Sequence, residues 1–138
     1  PGNIVCQWTS GTTTYKLYES IEVSMTVTSG SWYIRDLYGF GYKGSVGSDP
    51  TVYVWIKVEN PISPTSGVYH AYLIVYKAGT QVAKIDLTTG ETYGSYSLSP
   101  GEAFQLDLDI SIYNTGTNQV TYSFKVVFYV SQSTEQPR

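Results

Sequence analysis

Cysteine, histidine and charge are all scarce in this chain of 138 residues, which has one Cys, Cys6, and one His, His70. A single thiol rules out an intrachain disulfide and leaves the redox compartment undecided, with only an intermolecular bridge open to it. The same scarcity leaves no zinc site of Cys/His type and no histidine-based triad unless subunits share one. Charged residues make up 14% of the chain, against about a quarter in ordinary domains. The Lys and Arg residues are scattered singly from Lys16 to Arg138. No basic cluster is available to neutralise phosphates, so nucleic acid is not an expected partner.

Other absences narrow the reading further. No apolar run reaches transmembrane length and no Lys/Arg-flanked apolar start resembles a signal peptide, so direct membrane insertion is not expected; a targeting segment was either removed or never present. No Gly-rich phosphate loop is found, and no cofactor is expected. No Asn-x-Ser/Thr sequon survives inspection, because Asn60 precedes Pro and Asn3, Asn114 and Asn118 lack the hydroxyl at the third place.

What fills the space is Tyr, of which there are 14, together with Thr, Ser and Gly: the polar surface is built from hydroxyls. A hydrophobic share of 41% and an aromatic share of 15% exclude a disordered chain. Protonating every carboxylate would move the formal charge only from −3 to +8. A fold with this surface is expected to tolerate acid to about pH 3, since self-repulsion and lost ion pairs drive acid unfolding.

Period-two alternation recurs along the chain and no sustained helical period competes with it. In IEVSMTVT, Ile21, Val23, Met25 and Val27 share one face. VYVWIKVE turns Val52, Val54, Ile56 and Val58 inward and puts Tyr53, Trp55, Lys57 and Glu59 opposite. AFQLDLDISIY repeats the pattern with Phe104, Leu106, Leu108, Ile110 and Ile112. Segments 69–77 and 120–130 are apolar or aromatic on both faces and read as central strands. Weaker strands are expected over 4–9, 14–18, 32–38, 81–87 and 92–98. Gly79, Gly90 and Gly116 sit in turn signals that call for positive φ. The expected architecture is all-β: an immunoglobulin-like or jelly-roll-like antiparallel β-sandwich of about 8–10 strands, one domain over 1–130 followed by a polar tail at 131–138.

Between the strands, Asn60-Pro61, Gly79, Leu98-Ser99-Pro100-Gly101-Glu102 and Asn114-Thr115-Gly116 follow one another in an order that resembles the immunoglobulin-like sandwiches of CARDB-type and LEA14-like modules. The resemblance covers roughly residues 50–130 and implies a sandwich in which the Pro-Gly-Glu turn leads into a long alternating strand. In composition the chain is also similar to surface, pilus-like and virion proteins of thermoacidophilic archaea. The missing sequons tilt that likeness toward a virion or assembly component.

Residues that carry chemistry are few. Asp107 and Asp109, two apart on one strand, share a face about 7 Å apart. A solvated strand face accounts for both; the alternative is a Ca²⁺ or Mg²⁺ site completed by Asp36 or Asp49, without any recognisable loop cage. His70 reads as structural and Cys6 as a small buried thiol. The aromatics are the stronger candidates for contact. Trp32, Tyr33, Tyr38, Phe40 and Tyr42 cluster in SWYIRDLYGFGYKG, whose three Gly residues suggest a loop-like excursion, and Tyr53, Trp55, Tyr72 and Tyr76 offer a flat face for glycan or subunit contact. The first strand, with Ile4, Val5, Cys6 and Trp8, contains no Lys or Pro to blunt an edge, and so is either paired within the sheet or used between subunits.

The expected function is a non-enzymatic structural or assembly module outside the cell, at a cell surface or in a virion, whose partner is itself or another surface or virion protein. The alternative is a carbohydrate-binding module that stacks a glycan on Trp32, Tyr38, Tyr42 and Trp55.

Overall fold

Alternating β-branched and aromatic residues form strands that each bury one face, and two such faces close on each other. The computed structural model describes residues 2–7, 17–43, 47, 51–114 and 118–131, with backbone alone at 2–7, 17–19 and 131. Among the described residues there are nine strands: β1 (Gly2–Gln7), β2 (Leu17–Val27), β3 (Gly30–Lys43), β4 (Val52–Ser63), β5 (Val68–Lys77), β6 (Thr80–Asp86), β7 (Thr92–Leu98), β8 (Ala103–Ile112) and β9 (Val120–Ser131). One sheet has the order β1-β3-β8-β5-β6 and the other β2-β9-β4-β7. Eight strands pair antiparallel, and β1 adds to β3 in parallel, Gly2 opposite Tyr38 through Gln7 opposite Lys43. The result is a single two-sheet β-sandwich. No helix among the described residues is long and apolar enough to cross a membrane.

The core sits between the sheets. Phe40, Leu73, Leu106 and Leu108 come from one sheet, and Val54, Ile56, Phe124 and Phe128 from the other, all buried. Phe40 stacks on Phe128 across the gap with ring centroids 5.2 Å apart. Each such side chain contributes about 1.5–3 kcal/mol by leaving water. The two segments expected to be central lie in sheet interiors, β5 between β8 and β6, β9 between β2 and β4.

Three local expectations give way. The aromatic segment after Gly30 is no loop: it is the 14-residue strand β3, and Gly39 and Gly41 are ladder positions opposite Gln105 and Ala103. Asn60-Pro61 does not end a strand either. β4 continues to Ser63 through two shifts in its pairing with β9, which absorb the missing proline N–H, and Ile62 beyond them is buried. Segment 14–18 is not a separate strand, since Leu17 and Tyr18 already belong to β2; residues 14–16 lie outside the described residues.

The turns explain the register. Ala78 (φ 51°) and Gly79 (φ 79°) form the two-residue link from β5 to β6, the left-handed pair that matches the twist of a tight hairpin. Gly90 adopts no such angle, and Gly116 lies outside the described residues. At the passage from β7 to β8, Gly101 (φ 85°) lets the chain cross between sheets. There Glu102 N–H donates to Ser99 O at 3.0 Å, and the Glu102 carboxylate accepts from Ser99 N–H at 2.7 Å.

Candidate functional site

Alternation sends Gln105, Asp107, Asp109 and Ser111 of β8 to the outer face of their sheet, away from Leu106, Leu108 and Ile110. On this face Ser111 lies opposite Ser31 and His70, Asp109 opposite Tyr33 and Tyr72, Asp107 opposite Ile74, and Gln105 opposite Gly39 and Tyr76. Between Ile34 and Tyr38 the β3 ladder breaks, and Arg35, Asp36 and Leu37 form a bulge beside Asp107. Asp36 has φ 56°, a left-handed conformation that Asp tolerates better than most residues.

The bulge changes the status of Asp107. The expected solvated face holds for direction but not for exposure, because Asp107 is only 3% exposed. Its carboxylate accepts the Tyr33 hydroxyl on Oδ2 at 2.7 Å and the Asp36 N–H on Oδ1 at 3.0 Å, with Gln105 Nε2 approaching Oδ1 at 3.5 Å. A buried carboxylate is tolerated when donors surround it in this way. The Tyr33 oxygen also lies 3.4 Å from the Tyr76 hydroxyl. The Tyr33 phenol is held far above the ordinary tyrosine range, first by its hydrogen bond with Tyr76 and then by Asp107. It is a committed donor at neutral pH.

Asp109 is in a different environment. It is half-buried and meets His70 Nε2 at 3.0 Å. His70 stacks on Tyr72 with centroids 5.5 Å apart, and Lys84 Nζ lies 4.1 Å from the Tyr72 ring centre. The two aspartates therefore belong to separate groups. Asp36 meets Asp107 through its backbone N–H, and Asp49 lies outside the described residues. Among the described residues no three His, Cys, Asp or Glu side chains gather as a metal cage.

The aromatic candidates divide. Phe40 and Tyr42 are core residues at 0% and 2% exposure and present no surface. Trp32 and Tyr38 are half-buried and pack against the core from the same strand. Trp55 does point outward from the second sheet, yet is only 9% exposed because the backbone of Gly94 lies on its indole. The Trp55 indole N–H finds no acceptor among the described residues. Tyr53 is half-buried nearby. Trp32, Tyr38, Tyr42 and Trp55 thus lie on two sheets and do not make one stacking platform. Of the named aromatics, Tyr33 alone is well exposed, at 49%. Ile4, Val5 and Cys6 fall within β1, opposite Phe40, Gly41 and Tyr42; Trp8 lies outside the described residues.

Tyr72 and Tyr76 lie on β5, in the other sheet from Tyr53 and Trp55, so these four do not form one face. The sequence reading missed Arg35 and Gln105, which stand with Tyr76 around Asp107, and the exposed pair Tyr69 and Tyr113, stacked with centroids 6.5 Å apart. One signal was present. Asp36 falls on the same parity as Trp32, Ile34, Tyr38 and Phe40, and a carboxylate at a core-facing position marks a bulge. No protein-family model matches the chain, and no curated protein gives a significant match.

Proposed function

We propose that the chain is a non-enzymatic structural module that self-associates or docks through its strand edges, as part of an extracellular appendage, an envelope layer or a virion. The observation that carries this reading is β1. It is the sole parallel strand described, joined to β3 alone at the sheet margin, and Gly2–Gln7 contains no Lys, Arg, Pro or carboxylate. A strand held in this way by one edge is the kind of element that a neighbouring copy can supply in exchange.

A second edge supports the same reading. β2 pairs with β9 over 11 residues without a register shift, and Leu17–Val27 also lacks Lys, Arg and Pro. Monomeric sandwiches ordinarily blunt such edges with Lys, Pro or bulges, and β2 has only Glu19 and Glu22 for that purpose. Exposed aromatic contact area comes from Tyr33 and from the Tyr69–Tyr113 stack.

Sedimentation of the full chain and of a chain lacking residues 1–9 tests the proposal. The full chain is expected to form oligomers, and the truncated chain to stay folded, lose them and bind a synthetic peptide of residues 1–9. A full chain that remains a monodisperse monomer at high concentration would overturn it.

A further inference from the structure

The bulge of β3, the β5–β6 turn and the side chains between them border an open pocket of about 270 Å³ on the outer face of the sheet, lined by Tyr33, Arg35, Tyr76, Gly79, Gln105 and Asp107. We propose that this pocket is a binding site for one unit of a neutral saccharide. The site does not use the β1 and β2 edges invoked for assembly, though it shares Tyr33 with the contact area named there.

Size sets the first limit. Pockets for drug-sized ligands run from about 300 Å³ upward, so this one suits a single ring with its substituents. The walls set the second. Tyr33 and Tyr76, hydroxyls 3.4 Å apart, offer ring surface to C–H groups while their oxygens stay polar.

Charge decides the class of ligand. Asp107 stands in the wall as a carboxylate and Arg35 lines the same space as a guanidinium. An anion would meet Asp107 and a cation would meet Arg35. An apolar ligand would strip water from both and return no hydrogen bond. A polyol donates to the one and accepts from the other through the same hydroxyls, and the Gln105 amide, donor and acceptor at once, serves the same chemistry.

The site is also prepared in advance. A carboxylate has about four acceptor positions. The bonds from Tyr33 and Asp36 and the longer approach of Gln105 fix Asp107 in place and leave room for one further donor. With its own proton committed to Asp107, the Tyr33 oxygen is left to accept from a ligand hydroxyl.

The test is nuclear magnetic resonance on the isotopically labelled full chain, titrated with the methyl glycosides of glucose, galactose, mannose and N-acetylglucosamine. Sialic acid and choline serve as charged probes and benzyl alcohol as an apolar one. At least one neutral glycoside is expected to shift the amide signals of residues 33–36, 76–79 and 105–107. Gln105→Ala, at a half-buried outward position that leaves the core intact, and Tyr76→Ala are each expected to weaken that binding by about tenfold, the equivalent of one lost hydrogen bond or ring contact. The proposal is overturned if no neutral glycoside perturbs these signals at tens of millimolar, if the shifts map elsewhere, if a charged or apolar probe binds more tightly, or if both variants bind like the wild type. Mapping on the wild type stands whether or not a variant folds.

Discussion

Tyr33 donates its hydroxyl proton to Asp107 Oδ2 at 2.7 Å, which ties β3 to β8 across the outer face of the sheet. Because the phenol pKa is raised in the folded state, by Tyr76 first and Asp107 second, the folded protein keeps a proton that the unfolded chain releases near pH 10. The stability from this bond is fully present below about pH 10 and is lost as pH rises beyond it. Tyr33→Phe is expected to cost about 1 kcal/mol at neutral pH, the ring being half exposed, and to make the alkaline loss of stability shallower than in the wild type. Urea unfolding of both proteins between about pH 8 and 11 reads this out. Parallel curves for the two would refute it.

The two aspartates of β8 should respond unequally. Asp107→Asn puts an amide among donors in a covered site and is expected to cost about 2–3 kcal/mol. Asp109→Asn, at a half-exposed pair with His70, should stay within about 0.5 kcal/mol. Equal midpoints for the two variants in denaturant would return Asp107 to the status of an ordinary surface residue.

Gly94, within β7, is required both by its backbone, at φ 155°, and by its neighbour. A Cβ built there would stand 2.5 Å from Trp55 Cε3. Gly94→Ala is expected to cost about 1–3 kcal/mol by overpacking on top of the strain at its φ, and a Trp55→Val background should recover the packing part alone. A double-mutant cycle followed by thermal unfolding measures the coupling, and a coupling energy of zero would show that the indole moves aside freely.

At one end of the sandwich, the buried Tyr122 hydroxyl donates to Ser66 O and accepts from Asn114 Nδ2, both at 2.9 Å, while the same amide donates to Thr28 O at 2.7 Å. One oxygen therefore joins β9 to two connections between strands, and through the Asn114 amide to a third. Tyr122→Phe is expected to destabilise by about 1–3 kcal/mol and to raise amide hydrogen exchange near residues 28, 66 and 114 before the sheet interiors respond. Uniform exchange changes across the chain would contradict this.

The strands were legible wherever one face is apolar and the other polar, as along Ile21 to Val27 and Val52 to Val58, because burial of one face leaves a period that sequence records directly. Asp107 was not. Alternation tells which way a side chain points, but the cover over it comes from Arg35 to Leu37, some seventy residues earlier in the chain. Gly39 and Gly41 misled for a related reason: a glycine in a ladder and a glycine in a loop look alike until the partner strand is known. The Asn60-Pro61 pair suggests a turn by its local preference, which the pairing of β4 overrides. The bond between Tyr33 and Asp107, and the pocket beside it, depend on which strands are neighbours, and strand order is what periodicity leaves open.

Between Ile34 and Tyr38, β3 uses four steps where β8 uses two, from Leu108 to Leu106. The surplus is an even number, so Trp32 and Tyr38 keep the same face on either side of it. Loss of two residues here would heal the ladder, keep every core side chain inside and uncover Asp107. The bulge is thus a place in β3 where a surface site can be removed or acquired without disturbing the fold beneath it.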